Sequence, residues 1–335
     1  MPIMSADDHS YNQLMKTFPS LPEPAFESAE MQELVWHGQW GCTNDVGRLR
    51  AVLMHRPGEE VNLVSGAAYL PEIGAHGDPA AGWYWRGKEP PDLVAMQAQH
   101  DGLAAALRKE GVNVVYLENV PRRQHKSIST RDAVIGVGGG AIVCRLGTRY
   151  RRGEELAVTR ALARLGVPIL RTIHGTGIVE GGSFAWLNAR TAVLSLSTRV
   201  NAEGARQVEE VLRVTGVELI QVPLTGYRQH IDGVMTMIDV DTVLLNPLTT
   251  PYTLIERLNA MKFRIIELDP DDHAFTINCL AVAPGRVIMS ETSPRTLERL
   301  DRAGISVIPV PFDKVYRGGG GIHCSTAPLA RDPAG

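Results

Sequence analysis

Residues 184–222 read FAWLNAR-TAVLSL-STRV-NAEGARQVEEVLRVTG-VELIQV, and this stretch decides how the rest of the chain is read. Phe184–Leu187 and Ala192–Ser195 are short apolar runs on either side of the turn sequence Asn188-Ala189-Arg190, which predicts a hairpin. Asn201 opens a helix that runs to about Val214, Gly216 closes it, and Val217–Val222 is a further strand. The unit is therefore strand, strand, helix, strand.

The same order recurs along the chain. Leu49–His55 is a strand stopped by Pro57-Gly58. The helix from Pro91 to Glu110 carries Leu93, Met96, Leu103 and Leu107 at helical spacing, Gly111 ends it, and Val112–Leu117 follows. A second unit has strands at Ala133–Val137 and Ala141–Arg145, a helix at Glu154–Leu165, Gly166, and a strand at Val167–Ile173. A fourth has Gly233–Ile238, Thr242–Leu245, the helix Thr253–Met261 and the strand Phe263–Leu268. A fifth has Asn278–Ala283, Val287–Ser290, a helix Ser293–Ala303 that starts on a serine cap before Pro294, Gly304, and Ile305–Ile308 ended by Pro309. No unit can cover its own sheet, so five units must share a core, which predicts a closed ring of repeats. That argues for one α/β domain over residues 41–335. Residues 1–40 form an irregular leader on its outside, with a short helix near Glu27–Trp36. Residues 58–92, rich in Gly and Pro and containing Trp83-Tyr84-Trp85, read as an ordered flap over a site.

Composition narrows the function. The chain has 335 residues, 44% hydrophobic and 21% charged, as ordinary globular proteins do. A net charge of -3 without a basic run speaks against nucleic acid. No apolar run approaches the roughly 18 residues of a membrane span, and no signal peptide is visible. Cys42, Cys144, Cys279 and Cys324 are too scattered for a disulfide framework or a zinc pattern, so a cytoplasmic protein with no cofactor and no metal is expected.

The joints between units hold ionisable residues in unusual company: Ser129-Thr-Arg-Asp132, Val179-Glu-Gly-Gly-Ser183, Gln229-His-Ile-Asp-Gly233 and Gly321-Ile-His-Cys324. Equivalent points of a ring lie near a common axis, so these joints can converge. Singly, each residue has a plainer reading: His230 as a core histidine, Glu180 as a turn carboxylate, Asp132 as a partner of Arg131, Cys324 as a small hydrophobe. His230 and Asp232, two apart on a strand, would share a face. The four glycines Gly318 to Gly321 suit a backbone that approaches something closely, with Cys324 as a nucleophile behind them. Three acids around one cavity repel one another unless a cation neutralises them. A planar guanidinium pairs with carboxylates in bidentate fashion, and its charge favours a nearby thiolate. Attack by sulfur on a guanidinium carbon is the chemistry this set predicts.

These residues resemble the guanidino-group-modifying enzymes of the pentein fold, most of all arginine deiminase and dimethylarginine dimethylaminohydrolase. The resemblance covers about residues 44–333 and rests on Asp45–Pro57, Gln99-His-Asp101, Thr130-Arg-Asp132, Glu180-Gly-Gly182, His230-Ile-Asp232 and Gly320-Gly-Ile-His-Cys324, all in the family's order. It implies a five-bladed α/β propeller of ββαβ units. It implies Cys324 as nucleophile, His230 as general acid and then base, and Glu180 holding His230 and a guanidinium nitrogen. Asp132 and Asp232 would grip the other nitrogens, and Arg151 and Arg199 would bind a substrate carboxylate. The expected partner is a small guanidino molecule bearing a carboxylate; assembly into a homo-oligomer stays open. The reaction would be hydrolysis of a C–N bond, through an amidino-thioether on Cys324, to a ureido product. An amidinotransferase and a non-catalytic binding pentein are the alternatives. Ser183 replaces the usual Asp after Glu-Gly-Gly, Lys126 and Ser129 stand near positions usually held by Asn and an aromatic residue, and the helical insertion of larger deiminases is absent. These departures leave room for a methylated, hydroxylated or shorter guanidine.

Overall fold

The computed structural model describes residues 28–85, 87–225 and 228–334. The repeat is present as five three-stranded sheets of one design: a central strand with an antiparallel neighbour on one side and a parallel one on the other. In the third sheet Thr191–Leu196 lies between Phe184–Asn188 and Glu218–Pro223. The second centres on Gly140–Val143, between Val134–Val137 and Ile169–Thr172. The fourth centres on Thr242–Leu245, between Met235–Asp239 and Arg264–Glu267. The fifth centres on Arg286–Ser290, between Leu280–Ala283 and Ser306–Val310. The first is made from both ends of the chain: Leu49–Met54 pairs antiparallel with Ala327–Arg331 and parallel with Asn113–Tyr116.

A parallel pair needs a long crossover. The helices Leu93–Lys109, Glu154–Leu165, Ala202–Val214, Tyr252–Ala260 and Pro294–Arg302 supply it, one per sheet. Their stops are as read: Gly111, Gly166, Gly216 and Gly304 all sit at positive φ. The hairpin turn is fixed by the Asn188 side chain, whose Oδ1 accepts the Arg190 N–H at 2.9 Å. Central strands such as Gly140–Val143 and Thr242–Leu245 are buried throughout, which is why they read as unbroken apolar runs. The antiparallel edge strands meet between sheets: Ala327–Arg331 against Val134–Val137, Phe184–Asn188 against Met235–Asp239, and Met235–Asp239 against Leu280–Ala283, which also meets Leu49–Met54.

Three details differ from the sequence reading. Ser293 does not cap its helix: its hydroxyl is buried against that of Thr276, and Asp272 Oδ2 accepts the first-turn N–H of Thr296 at 2.6 Å. The last strand of the fifth sheet runs through Pro309 to Val310, since an outer edge needs no N–H there. Residues 58–92, read as an ordered flap, carry secondary structure that the sequence reading did not assign. They hold two helical turns and an antiparallel meander, Ala68–Leu70, Ala75–Asp78 and Trp83–Trp85. Trp83 and Trp85 are buried, while Tyr84 between them is 46% exposed. The leader's helix is Ala29–Trp36, capped by the Ser28 hydroxyl; the rest of the leader lies outside the described residues. No described helix is long and apolar enough to cross a membrane.

Candidate active site

Each unit enters its antiparallel edge strand through a tight turn. One-turn 3₁₀ segments at Thr130–Ala133, Gly181–Ser183 and Ile231–Gly233 lead into the second, third and fourth sheets. Turns at 274–277 and 322–325 lead into Leu280–Ala283 and Ala327–Arg331. These five joints deliver Asp132, Glu180, His230, Asp232, Asn278 and Cys324 to one cavity of about 210 Å³. His230 and Asp232 do share it, but not through a strand: His230 is extended and Asp232 lies in the turn that follows.

The glycines make room for this convergence. A Cβ on Gly182 would stand 2.7 Å from Asp132 Oδ1 and 2.9 Å from His230 Nδ1. One on Gly321 would stand 2.6 Å from Asn278 Oδ1. Gly182 and Gly321 are thus needed because side chains from other joints press on their backbone, and Gly181 because the Arg131 carbonyl does, 2.1 Å from where its Cβ would stand.

Cys324 is held from two sides. Its backbone N–H donates to Asn278 Oδ1 at 3.0 Å, and its thiol donates to Asp232 Oδ2 at 3.3 Å. The same oxygen lies 3.0 Å from Nδ1 of His323. Burial, then the charges of Asp232 and Asp132, raise the thiol's pKa well above its ordinary value, so it is protonated in the free site. Burial, followed by the field of Arg131, lowers the pKa of His323, which leaves its ring neutral and Nδ1–H as the donor to Asp232.

In the same cavity His230 Nε2 donates to Glu180 Oε2 at 2.7 Å, and its Nδ1 lies 3.7 Å from Asp132 Oδ1. Burial opposes a charge on this imidazole, but Asp132, Glu180 and Asp232 outweigh it and push its pKa up to about 9. Glu180 shows the reverse balance. Burial raises its pKa, yet the pair with His230 and the charges of Arg151 and Arg199 hold it below its ordinary value. Its Oε1 also accepts the Gly147 N–H at 2.9 Å.

Two sequence expectations change. Asp132 does not pair with Arg131, which turns to Asp45 at 3.5 Å. Arg151, read as a receptor for substrate carboxylate, lines the cavity but is 7% exposed and already engaged. Its Nη1 donates to Asp132 Oδ2 at 2.6 Å, and Glu154 takes Nε at 3.0 Å and Nη2 at 2.8 Å. Arg199 is more open. Nε and Nη2 donate to Gln229 Oε1, each at 3.2 Å, and Nε lies 3.6 Å from Glu180. Asp132, Glu180 and His230 offer ligand atoms within 4.8 Å of one another, but a protonated His230 and the Arg151 guanidinium already answer those acids.

Asn278, His323 and Glu154 were missed from sequence. The repeat itself could have found Asn278, which leads out of the fifth joint much as Asp132, Asp232 and Cys324 do in three of the others. Gly41, Asn44 and Asp45, which bind the chain ends and Arg131, complete the surroundings without entering the cavity.

A protein-family model described as N,N dimethylarginine dimethylhydrolase, eukaryotic, matches residues 93–331. The chain belongs to this family. Its curated relatives include enzymes named dimethylarginine dimethylaminohydrolase and arginine deiminase, hydrolases of C–N bonds in linear amidines, and one named 2-nitroimidazole nitrohydrolase. An N(G),N(G)-dimethylarginine dimethylaminohydrolase of Pseudomonas aeruginosa is 28% identical over 235 residues, 70% of this chain and 88% of that one. A DDAH from Pseudomonas aeruginosa, solved as a cysteine-to-serine mutant with citrulline, superposes with a TM-score of 0.68 at 23% identity, covering 84% of this chain and 99% of that one. An arginine deiminase of Oenococcus oeni is 21% identical over 412 residues, 86% of this chain and 96% of its own. An amidinotransferase of Microseira wollei shares the fold, with a TM-score of 0.70 at 17% identity over 88% and 98% of the two chains. The chain therefore has the mixed α/β fold of these solved structures.

Proposed function

We propose that the protein hydrolyses a C–N bond of a guanidino substrate through a covalent amidino-thioether on Cys324. The observation that carries this reading is one small cavity in which a thiol and a protonated imidazole stand among three buried carboxylates, Asp132, Glu180 and Asp232. A guanidinium entering it brings the positive charge the acids ask for, and that charge lowers the thiol's pKa where it is needed.

The thiol proton passes to Asp232 Oδ2, its hydrogen-bond acceptor, as sulfur adds to the guanidinium carbon. His230 gives its proton to the departing nitrogen, which leaves as ammonia or an alkylamine when the tetrahedral centre collapses. His230, now neutral, takes a proton from water, whose oxygen adds to the amidino carbon. The C–S bond then breaks, Asp232 returns its proton to sulfur, the hydroxyl proton left on the former amidino carbon passes to solvent, and a ureido product leaves. Glu180 keeps His230 oriented throughout. Arg199 is a cation in reach of a substrate carboxylate.

The five sheets, made as blades of one ring, would be the closed propeller of a single domain over residues 41–335. Two observations support this: contacts between sheets follow chain order, and the two chain ends share the first sheet. The test of function is incubation with L-arginine, methylated arginines and other guanidines, with detection of amine and ureido product. Formation of the ureido product supports hydrolysis. The amidinotransferase likeness favours a second reading, which gains if the amidino group moves only when an amine is added. Silence across the panel would contradict both.

A further inference from the structure

Arg151 differs from Arg199 in what it has left to give. A guanidinium has five N–H donors. Four of those on Arg151 are spent inside the protein: two on Glu154, one on Asp132 and one on the Ser129 carbonyl at 3.3 Å. A bidentate grip on a carboxylate needs two. An incoming carboxylate would also meet Asp132 and Glu154, both buried beside Arg151.

Lys126 offers a different cation in the same cavity. Its ammonium donates to the Gly318 carbonyl and sits 5.6 Å from the ring centre of Trp85. Gly318 belongs to the loop before Cys324, and Trp85 to the meander that carries Tyr84. Lys126 therefore stands where the nucleophile's loop and the flap meet, at a lip of the cavity it shares with Arg199.

Resting on the hydrolase reading, we infer that Arg151 is a positioning residue, clamped by Glu154 so that it aims Asp132 at the guanidinium, and that Lys126 with Arg199 forms the receptor for the substrate's carboxylate. The substrate class is then a guanidine whose anionic end lies towards the flap. Arg151 acts through Asp132 on the guanidinium end, which every substrate shares. Lys126 and Arg199 act on the far end, which only carboxylated substrates have.

The test is calorimetric binding to the Cys324→Ala protein of two matched guanidines, L-arginine and its carboxylate-free counterpart agmatine. The quantity read is the ratio of their affinities. Lys126→Met and Arg199→Gln should each lower the preference for L-arginine at least about 10-fold, the loss of one charge-assisted contact. Glu154→Gln and Arg151→Lys should weaken both ligands together and leave the ratio within about twofold. Arg151→Lys keeps the charge without the fork, so it should not restore affinity for either. In active protein the same two variants should lower kcat/KM for both compounds in parallel. A ratio that collapses in Arg151→Lys but holds in Lys126→Met would overturn the assignment. If neither guanidine binds while the protein stays folded, the guanidine reading itself falls, a result distinct from an unchanged ratio.

Discussion

The floor of the cavity and its mouth are built by opposite means. Asp132, Glu180, Asp232 and Cys324 are each no more than 6% exposed, arrive from separate joints of the repeat, and bond to backbone or to one another. The mouth is assembled mostly from pieces outside the joints: Tyr84 of the meander, Lys126 before the second unit and Tyr150, joined by Phe275 of the fifth joint. Burial makes the floor rigid and its charges strong, while exposure leaves the mouth free to vary at little cost to the fold. Chemistry should therefore follow the repeat, and substrate choice should follow the insertions.

The largest expected effect lies on the floor. Cys324→Ala should lower turnover by about 10⁴-fold or more while guanidine binding persists, because the acids bind without the thiol. Product formation and calorimetry check the two halves, and loss of binding in folded protein would break the division. His230→Gln should cost about 10²–10⁴-fold in kcat. Its pH dependence has a definite sign. The acid form works, and the pKa is raised to about 9, so kcat/KM should fall as pH rises through that value. Glu180→Gln removes one of the charges that hold the proton and should move that limb to lower pH. In stability terms, a histidine whose folded pKa is raised from 6.5 contributes fully below 6.5, and the contribution is lost as pH rises to about 9. Denaturant midpoints measured across that window read it.

Smaller effects follow. Asn278→Ala leaves the buried Cys324 N–H without its acceptor, at a cost of about 1–3 kcal/mol, visible in Tm together with a lower kcat. An unchanged Tm would mean the cysteine loop is held elsewhere. At the mouth, Tyr84→Ala should raise KM with kcat kept and shift stability by no more than about 0.5 kcal/mol. A fall in kcat as large as that of Asn278→Ala would erase the contrast between the two regions.

The same contrast explains what could be read from sequence. Glu154–Leu165 and Thr242–Leu245 lie where periodicity placed them, because local pattern and tertiary burial agree there. Cys324, His230, Glu180, Asp132 and Asp232 stood out because chemistry-bearing residues recurred at equivalent joints. Asn278 escaped notice as an uncharged member of that series. Glu154 looked like a helix start, and only its bidentate hold on Arg151 gives it a further part. His323 was hidden beside a more conspicuous cysteine. Ser293 failed as a cap because a residue from a distant turn, Asp272, reached the helix first. Such long-range competition leaves no local trace.

The most direct test of the account is mass spectrometry of the His230→Gln protein, quenched during incubation with the S-alkylisothiourea analogue of a guanidine that the wild type hydrolyses, whose thiol leaves without a proton from His230. The first step is then spared while the second, without its base, slows, so the peptide containing Cys324 should carry an amidino adduct. An unmodified Cys324 peptide throughout turnover, or an adduct on Cys42, Cys144 or Cys279 instead, would contradict it.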